Sequence, residues 1–202
     1  MVNSVSKNNA NSSIVEAVHK RANLLNESAE YIAKMAEKIS IVIADSISNG
    51  GRLFFCGNGG SAAESQHMAA EYCATLDHTK PRKGMPAMAL TTDTSFITAW
   101  SNDFGYDGIF LRQIETLSKP GDVMIAYSTS GNSKNVCLAA EYAMKNNVHV
   151  IGFTGNHPST DLEKLSSILF QAPSKSTPLI QEIHTIAGHE ICSLVEKNLF
   201  NF

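Results

Sequence analysis

The stretch LFFCGNGGS at residues 53–61 runs from a short apolar segment through a glycine-rich loop into a helical pattern. Glycines permit positive φ and close backbone approach to a ligand, and the first turn of a helix adds unpaired N–H groups. No Gly-Lys-Ser/Thr follows, which excludes a Walker loop, and the G-x-G-x-x-G dinucleotide fingerprint is absent. Ser61 and Glu64 fit a capping box at the helix start. The loop predicts either a phosphate site or an ordinary strand-to-helix turn.

Apolar runs of strand length recur along the chain and alternate with helical patterns. The further runs are 87–90, 123–127, 148–153 and 167–170, and the helical patterns include 61–75 and a last one over 178–199. Strands that alternate with helices specify a parallel sheet covered on both faces. We therefore expect an α/β fold that binds its ligand in the crevice beyond the carboxyl ends of the strands.

The N-terminal quarter of the chain reads as helical after a polar lead-in. Residues 1–12 predict a disordered segment, and Ser13 is a candidate N-cap. The helical pattern that follows has an apolar stripe formed by Ile14, Val15, Val18, Ala22 and Leu25. A second pattern runs over 27–48 and stops at Gly50-Gly51. We expect one domain over 13–202, with 13–49 as a helical extension.

Composition narrows the class of protein. The 202 residues are 43% hydrophobic and 17% charged, which fits a globular chain, and the net charge of −3 gives no general attraction to nucleic acid or anionic membranes. The apolar runs, such as 41–44, are too short to span a bilayer, and the polar N-terminus does not resemble a secretory signal. The four cysteines are widely spaced, which favours buried free thiols. We expect a cytoplasmic protein.

A second polar loop, STSGNS at residues 128–133, follows the apolar run 123–127 and precedes a helical pattern. Its four hydroxyl side chains belong to Ser128, Thr129, Ser130 and Ser133. Hydroxyls and backbone N–H groups at a helix start suit the oxygens of a phosphate without an obligatory cation. Two such loops at one sheet edge favour phosphate binding over two ordinary turns.

Candidate catalytic or metal-binding side chains lie on two predicted helices. His67 and Glu71 are four residues apart and share one helix face, where they can bind a divalent metal, act as acid and base, or form a solvated pair. Gln181 and His189, on the last helix, lie roughly on one side but about 12 Å apart along the axis. Ligation of one metal by both requires side chains that lean together or belong to different subunits. His184 points away from His189, so we interpret it as structural.

Two shorter polar stretches are ambiguous. Asn102 and Asp103, within NDFGYD at 102–107, can accept hydrogen bonds from sugar hydroxyls or form a turn. Thr92 and Asp93 follow the run 87–90 and are interpreted as a helix start.

Taken together, these motifs resemble the bacterial phosphoheptose isomerases of the SIS sugar-isomerase superfamily over nearly the whole chain. The resemblance is carried by CGNGGSAAESQHMAAE (56–71), LTTDTS (90–95), NDFGYD (102–107), STSGNS (128–133) and IQEIH (180–184), with His189 beyond. It implies a flavodoxin-like, doubly wound five-stranded parallel sheet and a homotetramer in which the N-terminal helices pack between subunits. It also implies conversion of sedoheptulose 7-phosphate to D-glycero-D-manno-heptose 7-phosphate through an enediol, for lipopolysaccharide or other surface glycans.

The resemblance also assigns roles to residues. It implies that Glu71 and His189 are the catalytic acid–base pair and that one zinc ion per subunit binds to His67, Glu71, Gln181 and His189. Substrate contacts are implied for Asn58, Gly59, Gly60, Glu71, Asn102, Asp103, Ser128, Thr129, Ser130, Ser133 and Gln181.

The chain departs from the family pattern at two places. Ala74-Thr75-Leu76 stands where many members have Gly-Arg-Tyr, and Pro178-Leu179 stands where many have Asp-Arg. The loss of two arginines removes potential contacts to an anionic substrate. Two alternatives therefore stay open: an isomerase of a shorter sugar phosphate, and a non-catalytic SIS protein that binds a phosphosugar and a protein partner. Retention of the four predicted metal ligands favours an enzyme.

Overall fold

A computed structural model describes residues 7–200 and contains one sheet of five parallel strands. The strands lie in the order β2-β1-β3-β4-β5. Their bounds are β1 Leu53–Cys56, β2 Ala87–Ala89, β3 Val123–Tyr127, β4 His149–Gly155 and β5 Ile168–Ala172. The expected doubly wound parallel sheet is confirmed, including the strand predicted over 167–170.

Seven α-helices and a 3-10 turn connect or flank the strands. Their bounds are α1 Lys7–Ser48, α2 Gly60–Cys73, α3 Thr94–Phe104, α4 Ile109–Leu117, α5 Lys134–Lys145, α6 Asp161–Leu165 and α7 Thr177–Phe200, with the 3-10 turn at Tyr106–Gly108. Asp93 caps α3 by accepting a hydrogen bond from the N–H of Phe96 at 2.9 Å, so the interpretation of Thr92 and Asp93 as a helix start holds. Pro178 lies in the first turn of α7, where its missing N–H has no helical acceptor to lose.

The side chains of each central strand alternate between two hydrophobic cores. Leu53 and Phe55 of β1 pack toward α1, α2 and α7, whereas Phe54 and Cys56 face α4, α5 and α6. The same period of two continues through the neighbouring strand β3. Burial on both sides explains why the strands read as continuous apolar runs in the sequence.

The N-terminal region differs from the expectation. One helix of 42 residues, α1, replaces the two predicted helices, and it already begins at Lys7. The helix thus extends into the segment 1–12 for which disorder was predicted, and residues 1–6 lie outside the described part. The helix continues through Leu25 and Asn26 because its C-terminal half packs along α7, which provides the tertiary contacts that a long helix needs.

Within residues 7–200, the cysteines and the helix lengths bear on two further expectations. All four cysteines are free thiols, but only Cys56 and Cys192 are buried, and Cys73 is exposed at the end of α2. No described helix is both long and apolar enough for a bilayer crossing.

Candidate functional site

The strand order reverses between β1 and β3, and this places the two polar loops next to each other. β2 lies on one side of β1, while β3, β4 and β5 follow on the other side. Cys56 at the end of β1 is paired with Ala126 near the end of β3. Loops that leave adjacent parallel strands in opposite directions open a crevice at the carboxyl edge of the sheet, where α/β proteins bind ligands.

The first loop turns at Gly59, whose φ of 57° is a conformation that favours glycine. The N-cap of α2 is Gly59, and Ser61 already lies inside the helix. The predicted capping box, in which Ser61 is the N-cap and pairs with Glu64, is therefore wrong. The helix starts one residue before Ser61, since the carbonyl of Gly59 already accepts bonds from the N–H groups of Ala62 and Ala63. Glu64 points elsewhere, to α7.

A pair of asparagines connects the two loops. The side-chain amides of Asn58 and Asn135 bond reciprocally, with both N···O distances at 2.9 Å. Asn135, buried in the first turn of α5, lies just beyond the second loop. The hydroxyl of Tyr106 also donates to Asn58 Oδ1 at 2.8 Å. Asn58 is thereby held between the loops, and neither Asn135 nor Tyr106 was singled out from the sequence.

The second loop is folded around the hydroxyl of Ser128. Ser128 Oγ is buried, lies 2.9 Å from Ser133 Oγ and accepts the N–H of Ser133 at 3.3 Å. Ser130 Oγ accepts the N–H of Asn132 at 3.2 Å. Ser130 is exposed, whereas Thr129 and Ser133 are half-buried. Ser128 therefore organises the loop from inside, and the other three hydroxyl residues lie nearer the surface.

Helices α2 and α7 lie side by side and run in the same direction. A Cβ on Gly60 would meet the Gln181 amide at 2.6 Å, Thr185 donates to Glu64 at 2.7 Å, and Gly188 adjoins Met68. The residue numbers in these contacts increase along both helices at once, as expected for two helices that run in the same direction. Gln181 therefore lies level with the first loop, while His189 lies two turns further on, opposite His67.

Three predicted residues come together at this helix pair. One ligand atom each from His67, Glu71 and His189 lies within 4.8 Å of the others. His67 Nε2 is 3.2 Å from His189 Nε2 and 3.3 Å from Glu71 Oε1. Ligand atoms of tetrahedral zinc, with Zn–N bonds of about 2.0–2.1 Å, are separated by about 3.3–3.4 Å. Two imidazole nitrogens and one carboxylate oxygen at this spacing fit a divalent metal.

Glu64 stands behind this cluster. Its side chain is almost buried, and Oε2 lies 3.9 Å from His67 Nδ1. This distance is too long for a hydrogen bond, and Glu64 Oε2 instead accepts one from Thr185 at 2.7 Å, so Glu64 places negative charge near His67 without holding its ring. The sequence pattern predicts only a capping role for Glu64, although its position three residues before His67 places both on one helix face.

Other predicted residues lie apart from the three clustered side chains. Gln181 presents its amide to Gly60, whose lack of a side chain allows this approach. Asn102 and Asp103 are exposed near the end of α3, where their side chains bond each other at 2.8 Å. His184 is buried, and its Nε2 lies 3.1 Å from the carbonyl of Thr154. Burial lowers the pKa of His184 to about 4, which agrees with a structural role.

Comparison with known proteins adds to this geometry. A sequence profile of the SIS domain matches residues 7–155. A phosphoheptose isomerase of Burkholderia pseudomallei is 42% identical over 188 residues, which cover 93% of each protein. The phosphoheptose isomerase of Rhodospirillum rubrum is 47% identical over 165 residues, covering 82% of this chain and 86% of the relative.

A solved structure is similar over the same length. The phosphoheptose isomerase of Neisseria gonorrhoeae matches with a TM-score of 0.85 and 31% sequence identity, covering 93% of this chain and 99% of that one.

Proposed function

Since the chain belongs to the SIS-domain family, and within it to the phosphoheptose isomerases, we propose that it converts sedoheptulose 7-phosphate to D-glycero-D-manno-heptose 7-phosphate. The observation that carries this proposal is the convergence of His67, Glu71 and His189 beside two phosphate-type loops. An isomerase needs an acid–base pair at the carbonyl end of the sugar and an anion site for its phosphate. A non-catalytic phosphosugar sensor needs only the second.

The second loop is the proposed phosphate site. Thr129, Ser130 and Ser133 offer hydroxyls, and the first turn of α5 adds backbone N–H groups and the positive end of its dipole. Asn58, Gly59 and Gly60 of the first loop are proposed to bind the sugar, together with Gln181, Asn102 and Asp103. This arrangement directs the carbonyl end of the substrate toward α2 and α7.

We propose that Glu71 moves the carbon-bound proton and His189 serves the oxygens. The reaction shifts the carbonyl from C2 to C1: a base removes the C1 proton, and an acid returns a proton to C2 of the enediol. Glu71 is half-buried, which gives its carboxylate a partly dry environment for proton transfer. His189 is half-buried at 3.2 Å from His67, so a hydrogen bond between the two rings needs one Nε2 without a proton.

Zinc is the proposed cofactor, one ion per subunit, held by His67, Glu71 and His189. Gln181 is proposed as the fourth protein ligand; because it lies beside Gly60 and apart from the other three, this requires its side chain to lean toward them or to come from a different subunit. The ligand spacing described above supports the first three residues. When bound, zinc supplies a Lewis acid that stabilises the negative charge of the enediolate. A carboxylate that binds a cation is a weaker base, so we expect the ligand and base roles of Glu71 to belong to different steps.

The assembly is proposed to be a homotetramer. Ile14, Val15 and Val18 of α1 are 62%, 52% and 58% exposed, although all three are apolar. A groove of about 740 Å³ also runs between α1 and α7 beside this extension, with Ile32, Ile41 and Leu194 among its lining residues. Exposed apolar surface of this kind is typical of subunit interfaces.

The test is an assay of the purified protein, with zinc added, on sedoheptulose 7-phosphate and on five- and six-carbon ketose phosphates. We expect turnover of the seven-carbon substrate with the highest kcat/KM. Preference for a shorter sugar would assign the enzyme to the alternative substrate, and phosphosugar binding without turnover of any substrate would contradict an isomerase. The cytoplasmic location and a supply of heptose for surface glycans stay predictions.

A further inference from the structure

The segment between α2 and β2 contains an arginine whose side chain is turned into the protein. Arg82 is only 1% exposed at its side chain, although it lies in an irregular stretch with exposed neighbours. Its Nη2 donates to the carbonyl of Glu71 at 2.8 Å and its Nη1 to the carbonyl of Tyr72 at 2.9 Å. Its Nε donates to Glu196 Oε1 at 2.6 Å. Its Nη1 also donates to the carbonyl of Lys83 at 3.1 Å, so one guanidinium binds three backbone carbonyls and a carboxylate.

Two of these carbonyls, those of Glu71 and Tyr72, belong to the last turn of α2. A helix leaves its final carbonyls without N–H donors of its own, and a cation near that end interacts favourably with the helix dipole. The planar fork of arginine can satisfy two neighbouring carbonyls at once, which the single ammonium of lysine cannot do with the same geometry. One of these carbonyls belongs to Glu71 itself, so the fork fixes the backbone of that residue.

The carboxylate belongs to the other helix of the site. Glu196 lies on α7, seven residues beyond His189, and is 4% exposed. Its Oε1 also accepts the N–H of Leu76 at 3.1 Å. A buried charge pair is costly to break, because the remaining charge is left without a partner. The Arg82–Glu196 pair therefore fixes the position of the C-terminal end of α2 along the axis of α7.

We propose that Arg82 is a positioning residue for the catalytic cluster: it sets the carboxylate of Glu71, on α2, at the right distance from His189, on α7. This inference rests on the proposed function and adds a residue that touches neither substrate nor metal. Arg82 acts through the backbone of Glu71, and Glu196 holds Arg82 in place. Outer partners of this kind, when removed, typically weaken metal binding or activity by about 10–100-fold.

The decisive variant is Arg82→Lys, which keeps the charge opposite Glu196 but loses the two-carbonyl fork. We expect zinc affinity, measured by competition with a chromogenic chelator in the absence of substrate, to fall about 10–100-fold. We also expect kcat for the heptose isomerisation to fall by a similar factor while KM changes less than about threefold. A general loosening of the fold would not separate kcat from KM in this way.

Arg52→Lys is the matched control. Arg52 donates to the carbonyl of Leu117, the last residue of α4, at 2.7 Å, and lies 3.5 Å from the fully buried Asp122. Like Arg82, it binds a carbonyl at the end of a helix and a buried carboxylate, but its side chain is 42% exposed and its partners belong to α4 and to the residue before β3, not to α2 or α7. We expect Arg52→Lys to lower the free energy of unfolding in urea while zinc affinity and kcat stay within about twofold of wild type.

Glu196→Gln is the second variant that tests the proposal if Arg82→Lys does not fold. The glutamine oxygen can still accept from Leu76 and Arg82, and the expected loss of zinc affinity is about 3–10-fold. The proposal would be overturned by a folded Arg82→Lys or Glu196→Gln protein that keeps the zinc affinity and kcat of wild type. It would also be overturned if Arg52→Lys lost as much zinc affinity and kcat as Arg82→Lys, or if the wild-type protein bound no zinc. A wild type that binds zinc but isomerises no heptose contradicts only the proposed substrate, because the chelator measurement needs no substrate.

Discussion

At the scale of single residues, Glu71 carries the largest expected effect. Replacing it with glutamine keeps the shape but removes both the base and an anionic metal ligand, so kcat should fall about 10²–10⁴-fold. Steady-state assays with zinc added measure this loss. Glu141→Gln is the control, since Glu141 also lies on a helix and pairs with Lys145 four residues away but is exposed on α5. Near-normal turnover of Glu71→Gln would remove Glu71 from the proposed mechanism.

His184 predicts a pH dependence of stability. Burial, the larger effect, lowers its pKa from 6.5 to about 4, although the hydrogen bond to Thr154 opposes the shift. Between these values the unfolded chain binds a proton that the folded protein does not, so the free energy of unfolding falls as pH falls. The loss from this group is on the order of 3 kcal/mol between pH 7 and pH 4.

Urea unfolding at several pH values between 7 and 4 checks this dependence. His184→Gln should unfold more easily at pH 7 but lose part of the pH slope, whereas His78→Gln, at an exposed position, should keep the wild-type slope. Identical slopes for His184→Gln and wild type would contradict the assignment.

At the scale of elements, the connection between the two loops decides how the substrate is held. Asn135→Ala removes both amide bonds to Asn58 and frees the first loop from α5. We expect KM to rise about tenfold with a smaller change in kcat, and the free energy of unfolding to fall by about 1–3 kcal/mol. Asn146→Ala, at the other end of α5, should leave KM unchanged. An unchanged KM in Asn135→Ala would mean that the substrate does not need the first loop held in place.

At the scale of the whole molecule, the exposed stripe on α1 predicts the assembly. Sedimentation should give a mass of about four times the 21.8 kDa of one chain. Val18→Glu should reduce that mass, because a carboxylate in an apolar interface loses its hydration. Lys20→Glu, about 200° around the helix from Val18, should stay tetrameric. A monomeric wild type, or a tetrameric Val18→Glu, would refute packing through this stripe.

Local signals in the sequence determined the sheet, both polar loops and the roles of single residues such as Asp93. Strands buried on both faces produce continuous apolar runs, and glycine-rich loops mark where such strands end. The i, i+4 spacing of His67 and Glu71 fixes them on one face of a helix. The resemblance to sugar isomerases added the partnership of these residues with His189, which periodicity alone left open.

Which side chains meet across different elements depends on how those elements pack. The parallel packing of α2 and α7 brings His189 to His67 and leaves Gln181 beside Gly60. The inward turn of Arg82, the amide pair of Asn58 and Asn135, and the continuous α1 likewise depend on contacts between residues far apart in the chain. Local sequence patterns fix the conformation of short segments, whereas the distance between two helices is set by the core that packs between and around them, so these contacts have no signature in either segment alone.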